Sequence, residues 1–286
     1  MKILYLTKGD HVDYQNDAVL IGLKEIFGAD VVDYNKQLHN YDTFDAEKAG
    51  KLYGMGMTVT RVLPDLNVDR TDITTKIKNK YYDLIVYGSI WRCNDYLDKI
   101  LEYYPTNKII AIDGEDETNI HTSYNKGIVY FKRELVIDSP RMFPISFAIP
   151  TLKVNFNTKK ERDSAYITPL NKATYIYKNE IDYYADYNRS RFGVTVKKAG
   201  WDCLRHYEIL GNGCIPIFYD VEQCPSRTLA NFPKKECIAV LNELRSGNKP
   251  ADVYNKWINV FKTSLDNHCT TKSVAKYVLD TLIKID

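Results

Sequence analysis

A loop near residue 200 combines residue types that bind phosphate groups. Lys197, Lys198 and Gly200 stand in a short loop after an apolar run, and Asp202 begins the amphipathic stretch that follows. Aspartate is a preferred N-cap residue, so we predict that a helix opens at Asp202. Because lysine side chains and a helix N-terminus both attract anions, this loop is predicted to bind a diphosphate group.

The predicted helix carries charged residues on one face. Asp202, Arg205 and Glu208 are spaced three apart, so they are neighbours on a helical surface. The opposite face is apolar and consists of Cys203, Leu204, Tyr207 and Leu210. The charged face is either a solvated stripe, in which Arg205 pairs with one of the carboxylates, or one wall of a ligand site. Trp201, just before the helix, either stacks on a ligand ring or fills the core.

Extended and helical patterns alternate along most of the chain. Strands are predicted at 2–7, 30–34, 83–88, 108–113, 127–132, 165–168, 192–196, 214–219 and 237–241, and helices at 18–27, 74–81, 94–103, 180–189, 202–210, 251–265 and 271–285. Such alternation predicts βαβ units with parallel sheets. The pattern lapses near 140–150, and the stretch after it is polar. We therefore expect an α/β fold with two Rossmann-like domains, residues 1–150 and 151–286, and a last helix that can pack back on the first domain.

Composition and charge argue against several classes of protein. The 286 residues are 44% hydrophobic, which suits two globular domains. With 39 basic and 37 acidic residues, the net charge is +2, and the basic excess of nucleic-acid binders is missing, so no nucleic-acid partner is expected. The six cysteines show no C-x-x-C spacing, so no metal site is expected, and free thiols fit a cytoplasmic location. No apolar run approaches the roughly 20 residues of a membrane span.

Two runs in the second half of the chain resemble a known family. Residues 200–210 read GWDCLRHYEIL, and residues 213–216 read GCIP. Together they resemble the donor-binding segment of GT-B glycosyltransferases and look closest to the exostosin-like and CgeB-like group. Supporting stretches are 113–116, 131–134, 175–177, 182–184 and 197–198. The resemblance implies two Rossmann-like domains that face each other across a cleft, an acceptor-side domain followed by a nucleotide-sugar donor domain.

The resemblance also implies roles for the residues of the loop and helix. By similarity, Glu208 holds the ribose hydroxyls of a nucleoside-diphosphate sugar, since one carboxylate can accept both hydroxyls. Arg205 and at least one of Lys197 and Lys198 neutralise the leaving diphosphate, so neither a metal nor another cofactor is expected. The remaining predicted donor-binding residues are Gly200, Trp201 and Asp202.

One position departs from the family pattern. Many retaining members carry a glutamate eight positions before the ribose-binding glutamate, and here that position is Gly200. We therefore predict neither retention nor inversion at the transferred sugar.

Polar residues that follow strands of the first domain are the candidates for acid–base chemistry. Asp10, His11 and Asp113 are candidate bases for the acceptor hydroxyl if the reaction inverts, because histidine and carboxylates are the usual proton acceptors. Arg92 and Glu115 follow strands of the same sheet, and parallel strands place all these loops on one edge, which would face the donor domain. Each candidate base is also explained as a loop residue that caps a helix or stabilises a turn.

The sequence thus predicts a glycosyltransferase that moves a sugar from a nucleoside-diphosphate sugar to a hydroxyl group of a glycan or polysaccharide. The alternative is a two-domain module that binds a nucleotide or sugar without turnover, and Gly200 favours it. A glucosyltransferase that acts on nucleic-acid bases shares the layout, but the near-neutral charge argues against it.

Overall fold

The computed structural model describes residues 1–9 and 11–285, and in these residues it contains two parallel β-sheets. The first sheet consists of β1 (Ile3–Leu6), β2 (Val31–Tyr34), β3 (Leu84–Tyr87), β4 (Ile109–Asp113), β5 (Val129–Lys132) and β6 (Met142–Pro144). The second sheet consists of β7 (Arg162–Ser164), β8 (Ser190–Thr195) and β9 (Ile215–Phe218). The strand orders are β2-β1-β3-β4-β5-β6 and β7-β8-β9, and the paired strands are parallel. The predicted α/β class with parallel sheets is confirmed.

Helices connect the strands and cover the sheets. Those of the first half are α1 (Tyr14–Phe27), α2 (Ala46–Ala49), α3 (Ile73–Lys78) and α4 (Leu97–Tyr103). Those of the second half are α5 (Glu180–Asn188), α6 (Leu204–Gly211), α7 (Lys234–Arg245), α8 (Pro250–Ser264) and α9 (Thr271–Ile283). The four residues of β1, β3 and β5 are all buried, as expected for strands covered on both faces.

The last helix packs on the first half of the chain. Val274, Ala275 and Val278 of α9 share a buried cluster with Val19 and Leu20 of α1. At Gly22 the two helices approach so closely that a Cβ atom would lie 2.0 Å from the carbonyl oxygen of Thr271. A glycine is therefore required for this contact, which ties the end of the chain to the first sheet.

The carboxyl ends of the two sheets meet. Arg133 and Glu134 directly follow β5, and Asp202 lies in the loop between β8 and α6. Arg133 Nη1 donates to the Asp202 carbonyl oxygen at 2.6 Å, and the Asp202 backbone N–H donates to Glu134 Oε1 at 3.0 Å. The predicted arrangement of two parallel sheets that face each other is thus present, and the loops beyond their strands form the contact.

Some secondary-structure predictions are wrong. The run 237–241 was expected to be a strand, but it lies inside α7, where the buried residues Cys237, Val240 and Leu241 follow helical spacing. Periodicity alone cannot distinguish a short apolar run in a strand from one in a helix. The strand expected at 165–168 lies earlier, as β7, and β6 was not predicted, because it has only three residues and ends at Pro144.

Candidate functional site

Glu208 lies buried where the two halves of the chain meet. Its Oε1 accepts a hydrogen bond of 2.5 Å from the Thr58 hydroxyl, and its Oε2 accepts one of 2.6 Å from the Tyr183 hydroxyl. Burial raises the pKa of Glu208, although these two hydrogen bonds and the charge of Arg205 act in the opposite direction. Both carboxylate oxygens therefore hold hydroxyl groups, one of them from the first half of the chain.

The segment around Thr58 is fastened to the second half by several contacts. The Thr58 backbone N–H donates to Glu180 Oε2 at 2.5 Å, and Glu180 also pairs with Lys153. The Thr58 hydroxyl lies 2.8 Å from the Tyr184 hydroxyl. Thr58 has φ 70°, a left-handed conformation that costs free energy for a β-branched residue. These contacts compensate for that cost and hold Thr58 over Glu208.

Arg205 lies one helical turn before Glu208, and part of its guanidinium group lacks hydrogen bonds. Its Nε and Nη1 are buried, and no hydrogen-bond acceptor reaches them within the part of the chain that the structure describes. The Arg205 guanidinium carbon is 5.1 Å from the centre of the Tyr175 ring, and Lys198 Nζ is 3.5 Å from the Tyr175 hydroxyl. A buried donor without an acceptor is costly, so this group is ready to bind an anion.

The two predicted phosphate-binding lysines differ in their surroundings. Both Lys197 and Lys198 are exposed. Lys198 points toward Tyr175 and hence toward Arg205, whereas Lys197 Nζ lies 5.5 Å from the centre of the Trp201 ring. Trp201 is half-buried and packs against the core of the second half, so one of its faces is covered by protein and a lysine lies over the ring.

Gly200 lies in a position where a side chain would crowd its neighbours. A Cβ atom there would be 2.6 Å from Glu134 Oε1 and 2.9 Å from both Arg133 Nη1 and Asp116 Oδ1. Arg133 and Glu134 are buried and hydrogen-bonded to each other, so they cannot easily move. A glutamate would not fit at residue 200 in this arrangement, and Glu134 of the first half already places a carboxylate in that space.

Asp202 does not cap the helix, contrary to the prediction. Helix α6 begins at Leu204 with Cys203 at the N-cap position, and no side chain caps it. Asp202 Oδ2 instead accepts a hydrogen bond of 2.7 Å from the backbone N–H of Phe147 in the first half. Burial raises the pKa of Asp202 to about 7, against the opposing effect of the nearby Arg133. Asp202 thus joins the two halves rather than facing solvent.

The candidate bases of the first half lie in different environments. Asp113, at the end of β4, is fully buried, and its carboxylate accepts hydrogen bonds of 2.9 Å from Lys132 Nζ and 2.5 Å from the Tyr130 hydroxyl. His11 is exposed in the loop after β1. Asp10 lies outside the described residues. Asp113 is held so firmly that it serves to position its neighbours in this arrangement, whereas His11 is accessible.

The structure brings Glu208, Arg205 and Lys198 to one place and puts Gly200 and Asp202 into the contact between the halves. Sequence reasoning missed Thr58 and Glu134 as parts of the site. Thr58 lies in an irregular segment without a periodic pattern, so no sequence signal marked it. Glu134 belongs to the stretch 131–134 that carried part of the family resemblance, and this was a usable signal.

Residues 1–9 and 11–285 lack two features that occur in other proteins of this size. No helix there is both long and apolar enough to span a membrane. No group of three or more histidine, cysteine, aspartate or glutamate side chains there is arranged to hold a metal ion.

The chain is similar in overall structure to a known protein. No protein-family model matches the chain, and no curated protein matches it. Among solved structures, the chain is similar to an alpha-glucosyltransferase in complex with UDP and a 13-mer DNA containing a central A:G mismatch. The match covers 98% of both chains at 9% sequence identity, with a TM-score of 0.46. The UDP and the DNA belong to the complex of that protein.

Proposed function

We propose that this protein is a glycosyltransferase that transfers a sugar from a nucleoside-diphosphate sugar to a hydroxyl group of a glycan or polysaccharide, without a metal ion. The observation that carries the proposal is the position of Glu208 and Arg205 one turn apart on α6. This helix begins beyond the carboxyl end of β8, the edge at which open α/β sheets bind ligands. The finer placement, in the exostosin-like and CgeB-like group, rests on the motif in residues 200–216.

The ribose is proposed to bind Glu208. Its two oxygens already accept hydrogen bonds from the hydroxyl groups of Thr58 and Tyr183, so both oxygens lie in positions that hydroxyl donors reach. A ribose presents two neighbouring hydroxyls of the same kind. Binding of the nucleotide therefore requires the Thr58 hydroxyl to leave Glu208, and the segment around Thr58 must move with it.

The diphosphate is proposed to bind Arg205 together with Lys198. The unpaired Nε and Nη1 of Arg205 supply donors in a fork geometry that matches phosphate oxygens. Lys198 reaches the same region through its contact with Tyr175, and Lys197 can turn from Trp201 toward solvent and the ligand. These cations stabilise the charge that develops on the leaving diphosphate, which is the work that a metal ion performs in other enzymes.

The acceptor is proposed to bind on the first half, near the ends of β1, β3 and β4. His11 is exposed there and is the candidate base for the acceptor hydroxyl, together with Asp10. Asp113 is proposed to position Lys132 and Tyr130 rather than to take the proton, because both partners already hold its carboxylate.

Thermal shift measurements with UDP, GDP, ADP and CMP test the proposal. At least one nucleoside diphosphate should raise the unfolding temperature, and Glu208→Gln should remove that increase, because the amide presents only one acceptor oxygen. Glu161→Gln is the matched control, since Glu161 is exposed at the amino end of β7, on the opposite edge of the sheet. A wild-type protein that responds to none of the nucleotides would contradict the proposal.

A non-catalytic binding module is the second candidate, and Gly200 is the observation that favours it. Its neighbours leave no room for the glutamate that many retaining enzymes carry at this position. Both candidates predict stabilisation by a nucleotide, so turnover separates them. Release of the free nucleoside diphosphate from a matching sugar nucleotide, in the presence of EDTA, supports the metal-independent enzyme. Binding without any release over many hours supports the module.

A further inference from the structure

A cavity of about 330 Å³ lies at the carboxyl edge of the first sheet. Its lining residues are Trp91, Arg92, Glu115, Glu117 and Asn119. The volume falls within the range of small-molecule sites in proteins, and the lining combines one aromatic ring with several polar groups.

The cavity lies beside the point where the topology of the sheet predicts a ligand. The order β2-β1-β3-β4-β5-β6 changes direction between β1 and β3, and open α/β sheets bind ligands in the crevice outside such a point. Trp91 and Arg92 follow β3, and Glu115 follows β4. The next residue, Asp116, pairs with Arg133 and would lie 2.9 Å from a Cβ atom at Gly200. The cavity is therefore next to the proposed donor loop.

The indole ring of Trp91 is both exposed and held in place. Trp91 is 44% exposed, although its side chain is large and apolar. The ring packs edge-on against His121, with 4.9 Å between the ring centres. A large flat surface that is fixed before binding offers contact area to a ligand ring at little cost in conformational entropy.

The charges around Trp91 favour a neutral ligand over a phosphate-bearing one. Arg92 is the cation of the lining, and its Nη1 already donates to Asp13 at 2.9 Å and pairs with Glu115. Glu115 and Glu117 then leave an excess of negative charge, which repels a phosphate backbone. Carboxylate and amide groups such as Glu117 and Asn119 are suited to hydrogen bonds with sugar hydroxyls.

We infer that this cavity is the acceptor subsite and that it binds a neutral sugar ring of a glycan stacked on Trp91. That this cavity takes part in sugar transfer rests on the proposed function. The polar groups of the lining hydrogen-bond the sugar hydroxyls, and the donor loop at residues 197–200 lies next to the bound ring.

A printed array of neutral oligosaccharides, together with single-stranded and duplex 13-mer DNA, tests the inference. The proteins compared are wild type, Trp91→Ala, Trp91→Phe and Tyr81→Ala, with the array hits then titrated in solution by calorimetry. Tyr81 is the matched control, because it is an aromatic residue with 47% exposure that lies before β3, at the opposite edge of the sheet.

The wild type should bind at least one neutral oligosaccharide. Trp91→Ala should weaken this binding about tenfold or more, because ring stacking is lost. Trp91→Phe should retain most of the affinity, and Tyr81→Ala all of it. Each variant should keep the wild-type melting temperature and its response to a nucleoside diphosphate.

Three results would overturn the inference: no oligosaccharide binds, Trp91→Ala binds as well as wild type, or DNA binds in a Trp91-dependent manner while oligosaccharides do not. Failure of the proposed function gives a different result: the wild type then does not respond to nucleotides, while its binding of oligosaccharides is unaffected.

Discussion

Replacing Thr58 with valine should destabilise the ligand-free protein and strengthen its binding of nucleotide. Valine keeps the β-branched shape of threonine, so the strain at φ 70° is nearly the same in both proteins. The substitution removes the hydroxyl group that donates to Glu208 and that lies 2.8 Å from the Tyr184 hydroxyl. It therefore isolates the competition between Thr58 and a ribose for Glu208.

Two hydrogen bonds set the size of both effects. The bond to the Glu208 carboxylate is worth about 1.5–3 kcal/mol, and the bond with the neutral Tyr184 hydroxyl about 0.5–1.5 kcal/mol. The free energy of unfolding of the ligand-free Thr58→Val protein should therefore fall by about 2–4.5 kcal/mol. In the nucleotide complex a ribose has replaced Thr58 on Glu208, so the first contribution is not lost there. The dissociation constant should consequently fall roughly ten- to hundredfold.

Urea unfolding measures the stability, and isothermal titration calorimetry with a nucleoside diphosphate measures the affinity. Tyr183→Phe is the matched control, because it also removes a hydrogen bond of 2.6 Å to Glu208. Tyr183 lies in the same half as Glu208 and stays beside it when nucleotide binds, so its loss should lower stability without raising affinity. An affinity of Thr58→Val that equals or falls below that of wild type would refute the idea that Thr58 occupies the ribose position.

Three further predictions test the contact between the halves and the sheet edge. Gly200→Ala should cost about 1–3 kcal/mol of unfolding free energy, because its Cβ would crowd Glu134; a loss under about 0.5 kcal/mol would contradict the crowding. Burial raises the pKa of Asp202 to about 7, so the free energy of unfolding of the wild type should fall as the pH rises from 5 to 7. In urea unfolding this fall should exceed that of Asp202→Asn by up to about 2–3 kcal/mol, and parallel pH profiles of the two proteins would contradict the prediction. Lys132→Met leaves the buried Asp113 without its cation and should lower the free energy of unfolding by about 3–5 kcal/mol. Adding Asp113→Asn should restore part of this loss, and a single variant as stable as the wild type would contradict the pairing.

The sequence was sufficient for the architecture, because periodic patterns report which face of each element is buried. The apolar runs at 2–7 and 108–113 are strands, and the amphipathic stretches at 251–265 and 271–285 are helices, with boundaries that shift by a few residues. The run 237–241 shows where this reasoning stops, since five apolar residues in a row fit either element.

The surroundings of the site residues depend on contacts that local sequence does not encode. Glu208 and Arg205 were predicted from the family resemblance, but one partner of Glu208 is Thr58, 150 positions earlier in the chain. Asp202 has the sequence features of an N-cap residue, yet its carboxylate accepts a hydrogen bond from a backbone N–H of the first half instead. Such outcomes follow from how the two sheets meet, which no window of a few residues reveals.

Calorimetric titration with a nucleoside diphosphate and with its 2′,3′-dideoxy form tests the central claim, that Glu208 binds the ribose at the meeting edge of the two sheets. The wild type should bind the ribose form about tenfold or more tightly than the dideoxy form, because two hydrogen bonds to a carboxylate are lost. Glu208→Ala should bind both forms with equal, weak affinity. Equal affinity of the wild type for the two forms, or no binding of either, would contradict the claim.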